Sequence, residues 1–242
     1  MSSKQKLAIF LSVMLAVLLY FAPKTLSEKQ TANVENNDFI SSFGEANKNI
    51  SPEQKQIFTR LEQELIKAQD SSSEANWLMS ATDFLKAARL IQDDKKALLY
   101  KGAINGYEKV LQIAPANLSA KTGLGTAIVE SASLLGNQPM KGISLLREVI
   151  QQDSNNIDAN LQLGLFSVTS QQFDKAIERF KRILRIDSTR VDMYVYLGDT
   201  YTAMGNKPKA IESYENYKIR IKDSLIVNDI EAYIKKLKQQ PN

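Results

Sequence analysis

A period of 34 runs through the second half of this chain and constrains its fold more than any other feature. Leu163-Gly164 recurs as Leu197-Gly198, Ala176 as Ala210, Ile177 as Ile211 and Phe180 as Tyr214, each at the same spacing (198 minus 164 is 34). Going backward, Gly142 precedes Ala176 and Leu146 precedes Phe180 by the same interval. Leu124-Gly125 precedes Leu163-Gly164 by 39, so an excess of five falls near Ser133 to Gln138. Ala103, Tyr107 and Pro115 likewise precede Gly142, Leu146 and Ser154 by 39, which marks a fourth unit. Units that recur at this length bury their apolar faces against one another, and the two ends of the stack need covers.

Within the last unit the local signals are helical. Met193 to Ala203 is a helix-compatible run, Gly205-Asn206 supplies a left-handed stop, and Pro208 fits the first turn of the next helix. Gly198 and Ala210 are small at facing positions and let the two helices approach closely. Leu197, Tyr201, Ile211 and Tyr214 fill the seam, a packing role that leaves no cofactor box to be read into them. With 10 glycines and 6 prolines in the whole sequence, there are few breaks for a strand-rich fold. Two segments suit the ends of the stack. Ser51-Pro52-Glu53 starts a helix whose Ile57, Leu61, Leu65 and Ala68 share a face. Asp223-Ser224 starts another, with Ile226, Ile230, Tyr233, Ile234 and Leu237 as its stripe and Lys235, Lys236 and Lys238 turned to water near its end.

The order Leu-Gly, an aromatic three places on at Tyr201, then an alanine and an aromatic four apart, resembles the tetratricopeptide repeat family. The resemblance covers about two thirds of the chain: units at 74–117 (degenerate), 118–156 (with the insertion), 157–190 and 191–224. In the degenerate unit Trp77, Ala81 and Phe84 stand at the first-helix positions. There the step from Ala81 to Ala103 is 22 (103 minus 81) where 12 is expected, which leaves the helix pairing open. The resemblance implies an all-α, right-handed α-solenoid of helix-turn-helix units, with capping helices at 51–73 and 225–242. It also implies a concave groove lined by the first helix of each unit. The groove positions are then Thr122, Thr126 and Val129, Leu161, Leu165 and Val168, and Val195, Asp199 and Thr202. Chaperone-binding members clamp a terminal carboxylate with Lys, Asn and Arg, where this chain has Thr, Leu, Val and Asp. A mixed apolar and hydroxyl groove suits an extended peptide or an amphipathic helix instead. Leu165 and Val168 face either that groove or the neighbouring unit.

Ahead of the repeats, Leu7 to Ala22 is uncharged throughout, preceded by Lys4 and Lys6 and closed by Pro23 and Lys24. As a helix it spans roughly 24 Å, a little less than a ~30 Å hydrocarbon core, and its strongly apolar residues favour insertion. Residues 1–23 therefore read as a signal anchor or transmembrane helix. The competing reading is a cleaved signal, but Tyr20 stands where a small residue is needed and Pro23 follows Ala22. The positive-inside bias puts the N-terminus in the cytoplasm and the repeats outside it, in the periplasm of a Gram-negative cell. Residues 24–50 are rich in Asn, Ser, Glu and Lys and read as a flexible linker that holds the repeats about 25 to 30 Å from the anchor on average.

The sequence has no cysteine and no histidine, which removes thiolate and imidazole chemistry. Lys plus Arg is 31 against 27 for Asp plus Glu, and two of the lysines precede the apolar run, so the near-neutral body does not suggest a nucleic-acid partner. The Gly-rich phosphate loop and the G-x-S-x-G elbow are both missing. Ser3 to Lys6 matches S-x-x-K in the charged stub before the membrane segment, and Glu62/Glu64 and Asp93/Asp94 diverge on a helix. The expected function is thus a membrane-tethered scaffold or co-chaperone-like adaptor that binds other proteins, with no catalytic, metal or cofactor site and with residues 7–22 in the lipid bilayer. The alternatives are a self-associating structural envelope protein and an enzyme built on Ser, Lys or carboxylates.

Overall fold

A computed structural model describes residues 39–46 and 50–239, and every regular element among them is a helix. After α1 (Pro52–Ser71) come four helix pairs: α2 (Glu74–Leu90) with α3 (Lys96–Ile113), α4 (Leu118–Glu130) with α6 (Pro139–Gln152), α7 (Ile157–Thr169) with α8 (Phe173–Ile186), and α9 (Met193–Ala203) with α10 (Lys207–Lys218). The short α5 (Ala132–Leu135) lies in the second pair's turn, and α11 (Ser224–Gln239) closes the array against α10. Each pair packs on the next, giving an α-solenoid.

Local chemistry fixes where these helices begin and end. The side chains of Asn117, Asn156 and Asn206 accept from the backbone N–H groups of Ala120 (2.8 Å), Ala159 (2.9 Å) and Lys209 (3.3 Å), satisfying donors that a helix start leaves orphaned. Pro52, Pro139 and Pro208 sit in first turns, where the missing N–H costs nothing. Gly136 (φ 68°) and Gly205 (φ 74°) take the left-handed conformation in the turns of their pairs, and Gln171 (φ 58°) does so between α7 and α8 without the freedom of a glycine.

Irregular repeat spacing is absorbed in two different ways. In the second pair the excess of five sits wholly in the turn 131–138, which contains α5; α4 and α6 have 13 and 14 residues, the lengths of α7 and α8. In the first pair both helices are lengthened: α2 has 17 residues and α3 has 18. The turn 91–95 is also longer than 170–172, and together these changes account for the separation of Ala81 and Ala103. The pairing that the sequence left open is thus α2 with α3.

Three of the four seams set a glycine against a ring, while the second pair sets Gly125 against Gly142. A Cβ added to Gly164 would lie 2.6 Å from the Phe180 ring, and one added to Gly198 would lie 2.6 Å from the Tyr214 ring. In the first pair the arrangement is inverted: the ring, Phe84, is on the first helix and the glycine, Gly102, is on the second, with Gly106 against Ala81. Tyr107 packs across units instead, its ring against Gly123 of α4. Wherever a ring lies flat on helix backbone, only the absence of a side chain permits the approach, which offsets the ~0.5–1 kcal/mol a helical glycine costs.

At the front, the structure corrects the reading of 24–50 as linker throughout. Residues 39–46 are helical, and Phe43 is wholly buried, stacked on Phe58 (5.3 Å between centroids) and edge-on to Phe84 (4.9 Å). Phe39, Ile40 and Phe43 fall on one side of a helix and cover apolar surface that α1 and α2 leave open. At the rear, α11 buries Ile234 and Leu237 and lays Tyr233 edge-on to Tyr214 (5.2 Å), while Ile226 and Tyr233 stay partly exposed and Leu225 is exposed. The apolar run 7–22 lies outside the described residues, among which no helix is long and apolar enough to cross a membrane.

Candidate functional site

The first helices form the inner layer of the array. α2, α4 and α7 touch one another in succession, whereas the second helices α3, α6 and α8 make no comparable contact with each other. Between α2, α4 and the start of α7 lies a cleft of about 440 Å³. Its floor is Thr82, Tyr107, Thr122, Gly123 and Thr126, with Leu78 and Leu85 beside them. Lys86 and Arg89 rise on the α2 side, and Ser119, Asn156 and Asp158 stand opposite.

Hydroxyl groups on the floor are not all spoken for. Thr122 donates to the Leu118 carbonyl at 2.8 Å, as a helical threonine commonly does. The Tyr107 hydroxyl donates to Thr82 Oγ1 at 3.3 Å, and burial pushes its phenol pKa up, so it stays a neutral donor. Thr126 is 2 % exposed, and its Oγ1 has no hydrogen-bond partner, a deficit of about 1–3 kcal/mol.

At one end of this inner layer, Glu130 ties four helices together. Its carboxylate accepts from Arg89 Nε (3.0 Å) and Nη2 (2.8 Å) on α2, from Gln162 Nε2 (2.8 Å) on α7 and from the Tyr100 hydroxyl (3.3 Å) on α3. The hydrogen bond to Glu130 holds the Arg89 guanidinium above its ordinary pKa; burial, then the Glu130 charge, pushes the Tyr100 phenol up to about 12. The cluster locks the first three units into one register; on the rim, Asp158 carries a negative charge and Lys86 a positive one that is paired with Asp83 at 2.9 Å.

No protein-family model matches the chain. Over 138 residues, 56% of its length, it is 28% identical to the RNA polymerase-associated protein CTR9 of Saccharomyces cerevisiae, and it spans only 12% of that protein. Among solved structures, YrrB superposes with a TM-score of 0.51 at 20% identity, covering 81% of this chain and 89% of YrrB. YrrB is described as a TPR protein with an unusual peptide-binding site. The chain has the tetratricopeptide repeat fold. A point mutant of MamA superposes with a TM-score of 0.52 at 18% identity over 70% of this chain and 90% of its own. A MamA RS-1 double mutant does so with 0.52 at 14% identity, over 82% and 98%.

Of the groove positions that the tetratricopeptide resemblance implied, Thr122 and Thr126 come together in the cleft. Val129 turns toward α6, its Cγ2 close to Gly142. Leu161, Leu165, Val168 and Val195 are half-buried against the core of the last two tetratricopeptide units. Asp199 is exposed and accepts from the Tyr214 hydroxyl at 2.6 Å, while Thr202 donates to the Gly198 carbonyl at 2.8 Å. Burial, and then this hydrogen bond to Asp199, raises the Tyr214 phenol pKa. The cleft's charged rim of Lys86, Arg89 and Asp158 was not among the expected positions. A signal for part of it exists in the repeat spacing: Ser119, Asp158 and Asp192 follow one another at intervals of 39 (158 minus 119) and 34 (192 minus 158), and so hold the same place in successive units.

Proposed function

We propose that this tetratricopeptide array is a non-catalytic scaffold that holds a segment of another protein in the cleft between α2, α4 and α7, and that residues 7–22 tie it to a membrane with the repeats on the extracytoplasmic side. One observation carries the reading. The partnerless Thr126 hydroxyl lies in the floor of an open cleft whose rim offers both signs of charge, a combination that fits a peptide backbone and a polar side chain. The tetratricopeptide fold, and the peptide-binding site named for YrrB, support the same assignment by analogy. Proximity labelling from the full chain in its own cells, compared with Lys86→Glu and Ser119→Arg variants, tests it. Both residues are exposed; Lys86→Glu also breaks the Asp83 ion pair at 2.9 Å, so helix content and melting temperature of the variant are checked beside the labelling. Loss of one labelled protein in both variants is expected; an unchanged labelling profile would overturn the reading.

A second reading is self-association through the rear cap, favoured by Leu225 at 74 % and Ile219 at 71 % exposure. Sedimentation of the full chain at two concentrations separates the two readings. A monomer at both removes the second.

A further inference from the structure

On the outer layer of the array, away from the cleft, three arginines act on one another, and among the described residues none of them forms an ion pair. Arg147 is on α6, and Arg179 and Arg182 are on α8, beside the turn 153–156 that leads into α7. Arg179 Nη1 donates to Asn160 Oδ1 at 3.2 Å. Arg182 Nη2 donates to Ser154 Oγ at 2.8 Å and reaches Asn155 Oδ1 at 3.5 Å, while its Nε is buried without a partner. All of these partners are neutral. Ion pairs among the described residues involve Arg60, Lys86, Arg89, Lys95, Lys121, Arg190 and Lys218, and none of those pairs involves the three arginines.

Such a cluster is costly as it stands. Burial holds the Arg179 guanidinium below its ordinary pKa; the charge of the adjacent Glu178 opposes this, and repulsion from Arg147 and Arg182 adds to it. Surface arginines normally resolve this by pairing with carboxylates or by turning into water. Here Asn160, itself 2 % exposed, and the turn at Ser154 and Asn155 hold two guanidiniums in place, with the Nε–H of one left over. Forked donors fixed by neutral groups, three guanidiniums to the single nearby charge of Glu178, suit an anion of high charge density. A tetrahedral dianion can accept from several guanidiniums at once, where a single carboxylate neutralises one charge.

We infer that Arg147, Arg179 and Arg182 form a binding site for an oxyanion of the phosphate class on the outer layer of the array, separate from the inner cleft. The site therefore gives the scaffold a second point of attachment, one that reads phosphorylation state or phosphate supply.

The test uses the full chain, melted in phosphate and in chloride at equal ionic strength and followed by helix content. Phosphate is expected to raise the melting temperature by a few degrees through binding to the folded state. Arg147→Gln removes an exposed side chain with no hydrogen bond of its own, so folding is not at issue, and it should abolish most of that rise and weaken phosphate binding about tenfold. Arg185→Gln, an exposed arginine on the same helix as Arg179 and Arg182 but outside the cluster, should keep it. Competition by a phosphoserine peptide assigns the source: tighter binding than inorganic phosphate marks a phosphorylated partner, and equal binding marks the free anion. A phosphate effect of the same size in the unmodified chain and in Arg147→Gln, or equal losses in Arg147→Gln and Arg185→Gln, would overturn the site.

Discussion

Arg89 on α2 donates two hydrogen bonds to Glu130 on α4, at 3.0 and 2.8 Å, and so fastens the first helix of one unit to that of the next. Arg89 is half exposed, so the ion pair alone is worth little. The value of Glu130 lies in the two further donors, Gln162 and Tyr100, that converge on it. Glu130→Ala should therefore cost about 1–2 kcal/mol and lower the melting temperature by roughly 2–8 °C. Arg89→Ala, which leaves the carboxylate two partners, should cost less. Thermal melts of the two variants check the order.

Gln171 and Gly205 occupy the same place in successive units and both have positive φ, 58° and 74°. Only one of them is suited to it. Gln171→Gly should stabilise the array by about 0.5–1 kcal/mol, and Gly205→Ala should destabilise it by a similar amount. Denaturant titration reads both as shifts of the midpoint.

The docking of α1 on α2 depends on pH through Glu64. Arg60 lies 3.6 Å from both Glu64 Oε1 and Asp83 Oδ2, while Glu64 Oε2 is buried without a partner. Burial, and then the charge of Asp83, raises the Glu64 pKa, with Arg60 opposing. The folded state thus holds this proton more tightly than the unfolded chain does. The contribution to stability is fully present below the ordinary carboxylate value and is lost as pH rises through the raised one. In thermal melts, Glu64→Gln should raise the melting temperature at pH 7 and change it little at pH 4.

Phe43 anchors the helical stretch 39–46 between Phe58 and Phe84. Phe43→Ala should cost about 3–5 kcal/mol if the pocket stays open behind it. Urea unfolding of the variant measures the loss, and a change below about 1 kcal/mol would contradict the docking.

Fold and site differ in how legible they were. Leu163-Gly164 with Phe180, and Leu197-Gly198 with Tyr214, announce helix pairs because a ring over a glycine needs both partners at fixed places in the repeat. The inverted seam of Phe84 on Gly102 obeys the same physics in an order that no repeat comparison matches. Phe43 was hidden by composition: a polar stretch reads as a tether, and three apolar residues suffice to dock it. Arg89, Tyr100, Glu130 and Gln162 were invisible for another reason. They meet only because the solenoid stacks, and nothing local marks a glutamate at a helix end as the point where four helices join. Leu165 and Val168 illustrate the converse, since position on a first helix does not decide whether a side chain faces the groove or the next unit.

The central claim is that the inner face of the first helices receives another protein, and site-specific photo-crosslinking tests it most directly. A photoreactive residue at Ser119, on the cleft rim, should capture a discrete protein partner in cells, while the same residue at Lys101, exposed on α3 and apart from both the cleft and the arginine cluster, should not. Capture from position 101 with none from 119 would contradict the account.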